Sequence, residues 1–216
     1  MIVTELSKGT KLYLLVGGRG TRLSSVSNGV PKPLIDIHGK PFIQRVIENL
    51  SGFDITLVCS NLNYHHFKDL DLDVDVFNEG EPCGTGGFLR KINVPDVFYV
   101  MNGDTYHSGD INLDTEDTTI FVSKRKIKGD EGYVVGAYGM VKHFVEKNPC
   151  GAGRTELVNV GIYKFYRRDI VIPYTLPISI EYDILNEIDL SYKVLHTREF
   201  DIGTPERLET FRNWTC

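Results

Sequence analysis

The sequence is short of the features that define several large protein classes. Its four cysteines (Cys59, Cys83, Cys150, Cys216) lie far apart and form no CxxC pair. That argues against structural zinc and against a small disulfide framework, and reduced thiols in the cytoplasm are the expected state. The longest apolar runs, such as LYLLV (12–16) and VFYVM (97–101), fall well below the ~20 residues that span a bilayer. MIVTELSKGTK at the N-terminus lacks the apolar core of a secretory leader. Positive charge is not in excess either: 24 Lys and Arg against 29 Asp and Glu give a net charge of −5. This balance disfavours a nucleic-acid partner and leaves room for a small anion held by local cations. No internal repeat, low-complexity tract or linker is visible.

What is present is ordinary globular composition, 41% hydrophobic and 25% charged over 216 residues. That length fits one domain, 1–216, with residues 1–10 as an extension before the first core strand. LYLLV, ending in glycines, reads as a buried parallel strand. GKPFIQRVIENL predicts a helix with Pro41 in its first turn and Phe42, Ile43, Val46, Ile47 and Leu50 on one face. DITLVCS then returns as a strand, which makes a β-loop-α-β opening. DLDLDVDVF (69–77) alternates acidic and apolar residues; Val76 stands where a calcium loop needs glycine, so a solvated strand face is expected. GYVVGAYGMVKHFVEKN predicts a hairpin or meander broken near Gly136 to Gly139, and NVGIYKF another strand. SIEYDILNEI predicts a helix capped by Ser179, and TPERLETFRNW one with Thr204 as N-cap and Pro205 at its first position. The sum is a Rossmann-like α/β domain with a mixed, mainly parallel sheet covered on both faces.

One polar segment, GGRGTRLSSVSNGVPKPL (17–34), follows the first strand directly. Glycines there let backbone N–H groups approach phosphate oxygens. The dinucleotide fingerprint fails because Leu23 occupies the third glycine position. The Walker A pattern fails because Pro41 follows Gly39-Lys40 where Ser or Thr is needed. The cations are more informative. Arg22 offers a planar fork suited to phosphate, and Lys32 is a point charge held between two prolines. Two acidic residues complete the pattern: Asp104 in MNGDT and Asp201 in FDIGTP, each at the end of a strand. Taken singly, each is accounted for by a turn or N-cap role. Beside a phosphate loop they make a metal–triphosphate site, since Mg²⁺ takes one or two carboxylates with phosphate oxygens. His65, His66, His107, His143 and His196 are scattered and read as surface or core residues.

GGRGTRL…PKPL…GKPF, EPCGTGGF, MNGDT, FVEKN, NVGIYKF and FDIGTP occur in the order found in sugar-1-phosphate nucleotidyltransferases. The chain resembles this family from about Lys11 to Trp214, and EPCGTGGF is most similar to the mannose-1-phosphate and heptose-1-phosphate guanylyltransferase branch. The resemblance implies a glycosyltransferase-A-like three-layer α/β/α sandwich. It implies transfer of a nucleoside monophosphate from an NTP, GTP favoured, to a hexose or heptose 1-phosphate with Mg²⁺ as cofactor.

By the same resemblance, Leu15, Gly17 and Gly18 meet base and ribose, with Glu81 and Gly86 on the base. Gly20, Thr21, Arg22 and Lys32 surround the triphosphate, and Arg22, Lys32 and Asp104 are catalytic. Asp104 and Asp201 hold the metal, while Glu146, Lys147, Asn159 and Gly161 bind the sugar phosphate. VEKN replaces the family's usual VEKP. One alternative within the resemblance is a cytidylyl-, uridylyl- or thymidylyltransferase acting on another phosphorylated acceptor; an alternative of a different class is a catalytically silent regulatory paralogue that binds NDP-sugar. No membrane partner is expected, and a homo-oligomer is compatible with the sequence.

Overall fold

The computed structural model describes residues 9–18, 29–109, 111–129, 131–146 and 152–215. Two compact units are distinguished within it. The first comprises the described residues of Met1–Pro82, Met101–Ile111 and Thr197–Cys216; the second, those of Cys83–Val100 and Asn112–His196.

In the first unit, β1 (Thr10–Leu15) is the buried strand expected from LYLLV, with Leu12 and Leu14 fully enclosed. Two short strands, β2 (Asp36–Ile37) and β3 (Lys40–Pro41), form a hairpin ahead of helix α1 (Phe42–Asn49). Pro41 sits at the N-cap of that helix rather than inside its first turn. Phe42, Ile43 and Val46 form its buried face. Strand β4 (Phe53–Cys59) pairs in parallel with β1, and β5 (Asp75–Asn78) in parallel with β4.

The acidic alternation upstream of β5 does not form a strand. Pairing begins only where Thr56 of β4 lies opposite Asp75. Before that point the backbone folds on itself, with Leu72 N–H donating to Leu70 O and Val74 N–H to Leu72 O, the three-residue pattern of γ-turns. The aspartates are nonetheless exposed, as the alternation requires.

Strand β6 (Val97–Asn102) carries the buried Phe98, Tyr99, Val100 and Met101. It leads through Gly103 and Asp104 into β7 (Thr105–Ser108). In the second unit β8 (Thr119–Lys126) pairs antiparallel with β11 (Thr155–Tyr166) and parallel with β12 (Ser191–Val194). Strands β9 (Tyr133–Ala137) and β10 (Met140–Val145) make the expected hairpin. Its turn, Tyr138–Gly139, has positive φ at both residues, 53° and 81°, the geometry that matches the twist of antiparallel strands. Antiparallel pairing therefore prevails here, and parallel pairing is concentrated in β1, β4 and β5. SIEYDI is capped by Ser179 as expected, but the helix is a single π-turn, Ile180–Ile184. A bidentate bridge from Arg125 to Glu131, at 2.8 and 2.9 Å, ties β8 to the approach of β9.

Back in the first unit, β13 (Arg198–Asp201) pairs antiparallel with β7, and helix α2 (Pro205–Trp214) follows. Thr204 accepts from Arg207 N–H and Pro205 occupies N1, as the sequence predicts. One aromatic cluster joins these elements. Phe211 of α2 lies 5.2 Å from Phe42 of α1 and from Tyr106 of β7, and 5.3 Å from Phe200 of β13. Trp214 stands 4.6 Å from Phe200.

Removing the ring at the centre of this cluster leaves a cavity that its rigid neighbours cannot fill. Phe211→Ala is expected to cost about 3–5 kcal/mol, a fall of roughly 6–20 °C in the unfolding midpoint, readable by circular dichroism. The Arg125–Glu131 bridge has a pH signature. Burial opposes ionisation of Glu131, but hydrogen bonds and charges from Arg125 and Lys128 hold its carboxyl below its ordinary value of 4.5. Its contribution is then full above pH 4.5 and lost as pH falls through the lower folded value. Glu131→Gln should cost about 1–3 kcal/mol at neutral pH, a deficit that shrinks towards zero in unfolding measured below pH 4.5.

Candidate active site

In the first unit the two candidate carboxylates, Asp104 and Asp201, stand at strand ends. Leu15, the last residue of β1, accepts Gly103 N–H through its carbonyl at 3.0 Å. A Cβ on Gly103 would lie 2.7 Å from Val16 Cγ1 and 2.9 Å from Leu15 O. Only glycine allows this approach, and it sets Asp104 beside the start of the glycine loop. Lys32 opens a short 3₁₀ turn, Lys32–Leu34, between Pro31 and Pro33. Its Nζ lies 3.7 Å from Asp104 Oδ2.

Asp201 is brought to the same place by strand pairing. It is registered with Thr105 across β7 and β13, and Ile202 N–H donates to Asp104 O at 3.1 Å. The two carboxylates are close enough for the charge of Asp201 to act on Asp104. Burial raises Asp104 above its ordinary value, Lys32 opposes the rise, and the charge of Asp201 adds to it. Asp201 is held on both oxygens: Gly203 N–H donates to Oδ1 at 2.6 Å and Arg207 Nη1 to Oδ2 at 2.5 Å.

Gly17 lies against the ends of β4 and β5. A Cβ there would be 3.4 Å from Ser60 N and 3.7 Å from Glu79 Oε1. Glu79 is buried, whereas Glu81 is exposed. Burial, aided by the charge of Glu79, pushes the Cys59 thiol up to about 11, so this cysteine is an unreactive core residue. Gly18 presents open space and a carbonyl that accepts from Asn63.

In the second unit the CGTGGF part of the EPCGTGGF loop, residues 83–88, is packed against the segment 176–184. Gly84 has φ +85°, and a Cβ on it would meet Ile178 O at 2.2 Å. Gly86 N–H donates to that same carbonyl, and Ile178, Ile180 and Ile184 fill the space beside it. The loop glycines thus serve close packing, and the Gly86 N–H is already committed. Asn159 and Gly161 lie together on β11, where the register slips between Asn159 and Tyr163. Gly161 takes φ +72° and its N–H donates to Asn159 Oδ1, a bulge that re-aims the strand. Asn159 Nδ2 donates to the Tyr163 hydroxyl at 2.7 Å, and that hydroxyl to Glu181 Oε1 at 3.1 Å. Thr85 and Ser179 both donate to Glu181 Oε2 at 2.9 Å. Glu146 follows β10 within electrostatic reach of Tyr163.

Gly20, Thr21, Arg22 and Lys147, with Arg19, lie outside the described residues. Three functional candidates escaped the sequence reading. Glu79 sits two residues before the expected Glu81, with only its burial to separate them. Glu181 lies in the S-x-E after a cap, a pattern common to many helix starts. Arg207 had a usable signal, since a cation in the first turn of a helix opposes the helix dipole.

A family model described as a MobA-like NTP transferase domain matches residues 12–108. A D-glycero-alpha-D-manno-heptose 1-phosphate guanylyltransferase from Campylobacter jejuni is 31% identical over 89% of this chain and 94% of its own length. A probable mannose-1-phosphate guanylyltransferase from rice is 31% identical over 90% of this chain, which spans 62% of that protein. The crystal structure of HddC from Yersinia pseudotuberculosis superposes with a TM-score of 0.79 at 31% identity, covering 96% of this chain and all of that one. The fold is therefore of the glycosyltransferase-A-like α/β type with a mixed sheet. No helix among the described residues is long and apolar enough to cross a membrane. The strand-end carboxylates, the lysine between prolines and these likenesses agree: the chain belongs to the family of sugar-phosphate nucleotidyltransferases that carry a MobA-like NTP transferase domain.

Proposed function

We propose that the protein joins the GMP moiety of GTP to a hexose or heptose 1-phosphate, forming a GDP-sugar and releasing pyrophosphate. The observation that carries this reading is the grouping of Asp104 and Asp201 at adjoining strand ends with Lys32, from the turn between two prolines, 3.7 Å from Asp104. An oxygen of the sugar phosphate attacks the α-phosphorus, and the bond from that phosphorus to the bridging oxygen of pyrophosphate breaks. The nucleophile is a phosphate whose second pKa is about 6, already largely ionised at neutral pH, so no general base is required. The absence of a catalytic histidine among the proposed residues is consistent with this chemistry. The difficulty is bringing two polyanions into line, which is a matter of position and charge.

Lys32, held by its flanking prolines, neutralises charge on the nucleotide phosphates, with Arg22 of the same segment assigned to the departing pyrophosphate. Gly17 and Gly18 leave the backbone open to base and ribose. Asn159, Gly161, Glu146 and Lys147 orient the sugar phosphate. Asp104 and Asp201 would hold Mg²⁺. Among the described residues no three His, Cys, Asp or Glu side chains form a metal cage. The donor set fits an ion that takes its remaining ligands from phosphate and water. When bound, that ion supplies positive charge to the reacting phosphates.

Base choice is assigned to Glu79. Guanine carries two donors on one edge, N1–H and the exocyclic amine, and a buried carboxylate beside Gly17 is suited to accept both. Exposed Glu81 has a weaker case.

The test is pyrophosphate release from each nucleoside triphosphate paired with a panel of hexose and heptose 1-phosphates. GTP with a manno-configured acceptor is the expected productive pair. Binding of GDP-sugar without turnover for any pair would instead mark a silent regulatory protein. Asp104→Asn is expected to reduce turnover on the order of 100-fold or more while the protein remains folded by circular dichroism. Glu79→Gln should raise KM for GTP roughly 10- to 100-fold, the loss of a charge-assisted hydrogen bond of about 1.5–3 kcal/mol. KM for the sugar phosphate should stay nearly unchanged.

A further inference from the structure

Arg207 occupies the third position of α2, after Thr204 at the N-cap, Pro205 and Glu206. This position favours an acidic or amide side chain, which can reach back to the cap, and the positive end of the helix dipole disfavours a cation. Local helix energetics therefore give no reason for arginine here. Its guanidinium instead engages Asp201, holding Oδ2 at 2.5 Å in a pair with both side chains about three-quarters enclosed.

That contact is not needed to aim the carboxylate. Gly203 N–H already fixes Oδ1 at 2.6 Å, within a turn locked by the Thr204 cap and Pro205. A Cβ on Gly203 would lie 2.6 Å from Oδ1, so the turn has no slack. What Arg207 adds is charge on the other oxygen. Any divalent ion seeking both Asp201 and its neighbour must displace a guanidinium from Oδ2. It must also contend with Lys32, 3.7 Å from Asp104.

We propose that Arg207 is an internal competitor for the divalent cation. It keeps the nucleotide-free protein a poor metal binder, so the ion enters as the nucleoside triphosphate complex. The triphosphate brings further oxygen ligands for the ion and offers anionic partners to the released guanidinium. A free ion brings neither. The inference rests on the reading of Asp201 as a cation-holding carboxylate and makes Arg207 a positioning residue that sets the order of binding.

The test is Mn²⁺ titration followed by the electron paramagnetic resonance signal of the free ion. It is run on the full chain alone and with a non-hydrolysable GTP analogue. Wild type is expected to bind weakly alone and far more tightly with the analogue. Arg207→Gln, which retains a donor without the charge, should bind Mn²⁺ alone about tenfold more tightly. With the analogue present its affinity should stay within about threefold of wild type. Arg207→Lys should restore weak binding, which a merely structural role would not require. Thermal unfolding of each variant checks the fold. Equal Mn²⁺ affinities for wild type and Arg207→Gln in the absence of nucleotide would overturn the inference, as would tight binding by Arg207→Lys. Failure of the underlying reading is separately visible: Asp201→Asn would then bind Mn²⁺ with the analogue as well as wild type does.

Discussion

Two carboxylates placed side by side repel, and the first unit is organised around holding them there. Asp104 and Asp201 meet because β7 and β13 pair antiparallel with Asp201 opposite Thr105. The electrostatic cost appears in Asp104, whose carboxyl is raised by burial and by its neighbour's charge. Each acid is given a cation, Lys32 for Asp104 and Arg207 for Asp201. The cations come from different elements, a 3₁₀ turn and a helix start. The site is thus a charge-balanced quartet assembled from three stretches of chain.

The scaffold that resists this repulsion is apolar. Phe200 and Tyr106 project from the two paired strands into the cluster of Phe42, Phe211 and Trp214. Aromatic contacts of this kind contribute area and defined geometry, which suits strands that must keep one register. A slip of one residue would turn every side chain on β13 to the other face. In the second unit a polar network does the comparable work. Glu181 accepts from Thr85, Ser179 and Tyr163, and Tyr163 in turn receives Asn159. Four short hydrogen bonds join a loop, a cap and a bulged strand.

Much of this was legible in the sequence, and the reasons are local. Buried strands such as LYLLV and VFYVM, the Thr204-Pro205 helix start and the Tyr138–Gly139 hairpin all rest on short-range chemistry. The misreadings have a common cause. DLDLDVDVF has perfect strand periodicity, but its pairing with β4 begins only at Asp75, and the residues before it take their hydrogen bonds from their own backbone. SIEYDI has a correct cap, yet its helix stops after one turn. At the site, motif order located Lys32, Asp104 and Asp201, whereas Glu79 and Glu181 depend on contacts between distant segments, and Arg207 shows only as a cation misplaced in a first helical turn. Periodicity and motifs do not encode such contacts. The glycines of EPCGTGGF look like a ligand loop in sequence, and packing against Ile178 accounts for them equally well.

The contact between Gly103 and the end of β1 reaches further than one close approach. A carboxylate at a strand end ordinarily takes its place from its own strand. Asp104 takes it from the neighbour as well, because Gly103 is hydrogen-bonded to Leu15 O and has no room beside Val16. The acid and the base of the glycine loop therefore share one ruler. Displacing β1 by a fraction of an ångström carries both along, and their spacing is conserved even when their absolute position is not. For a reaction that depends on alignment, relative placement is the quantity that matters. A single missing methyl group secures it.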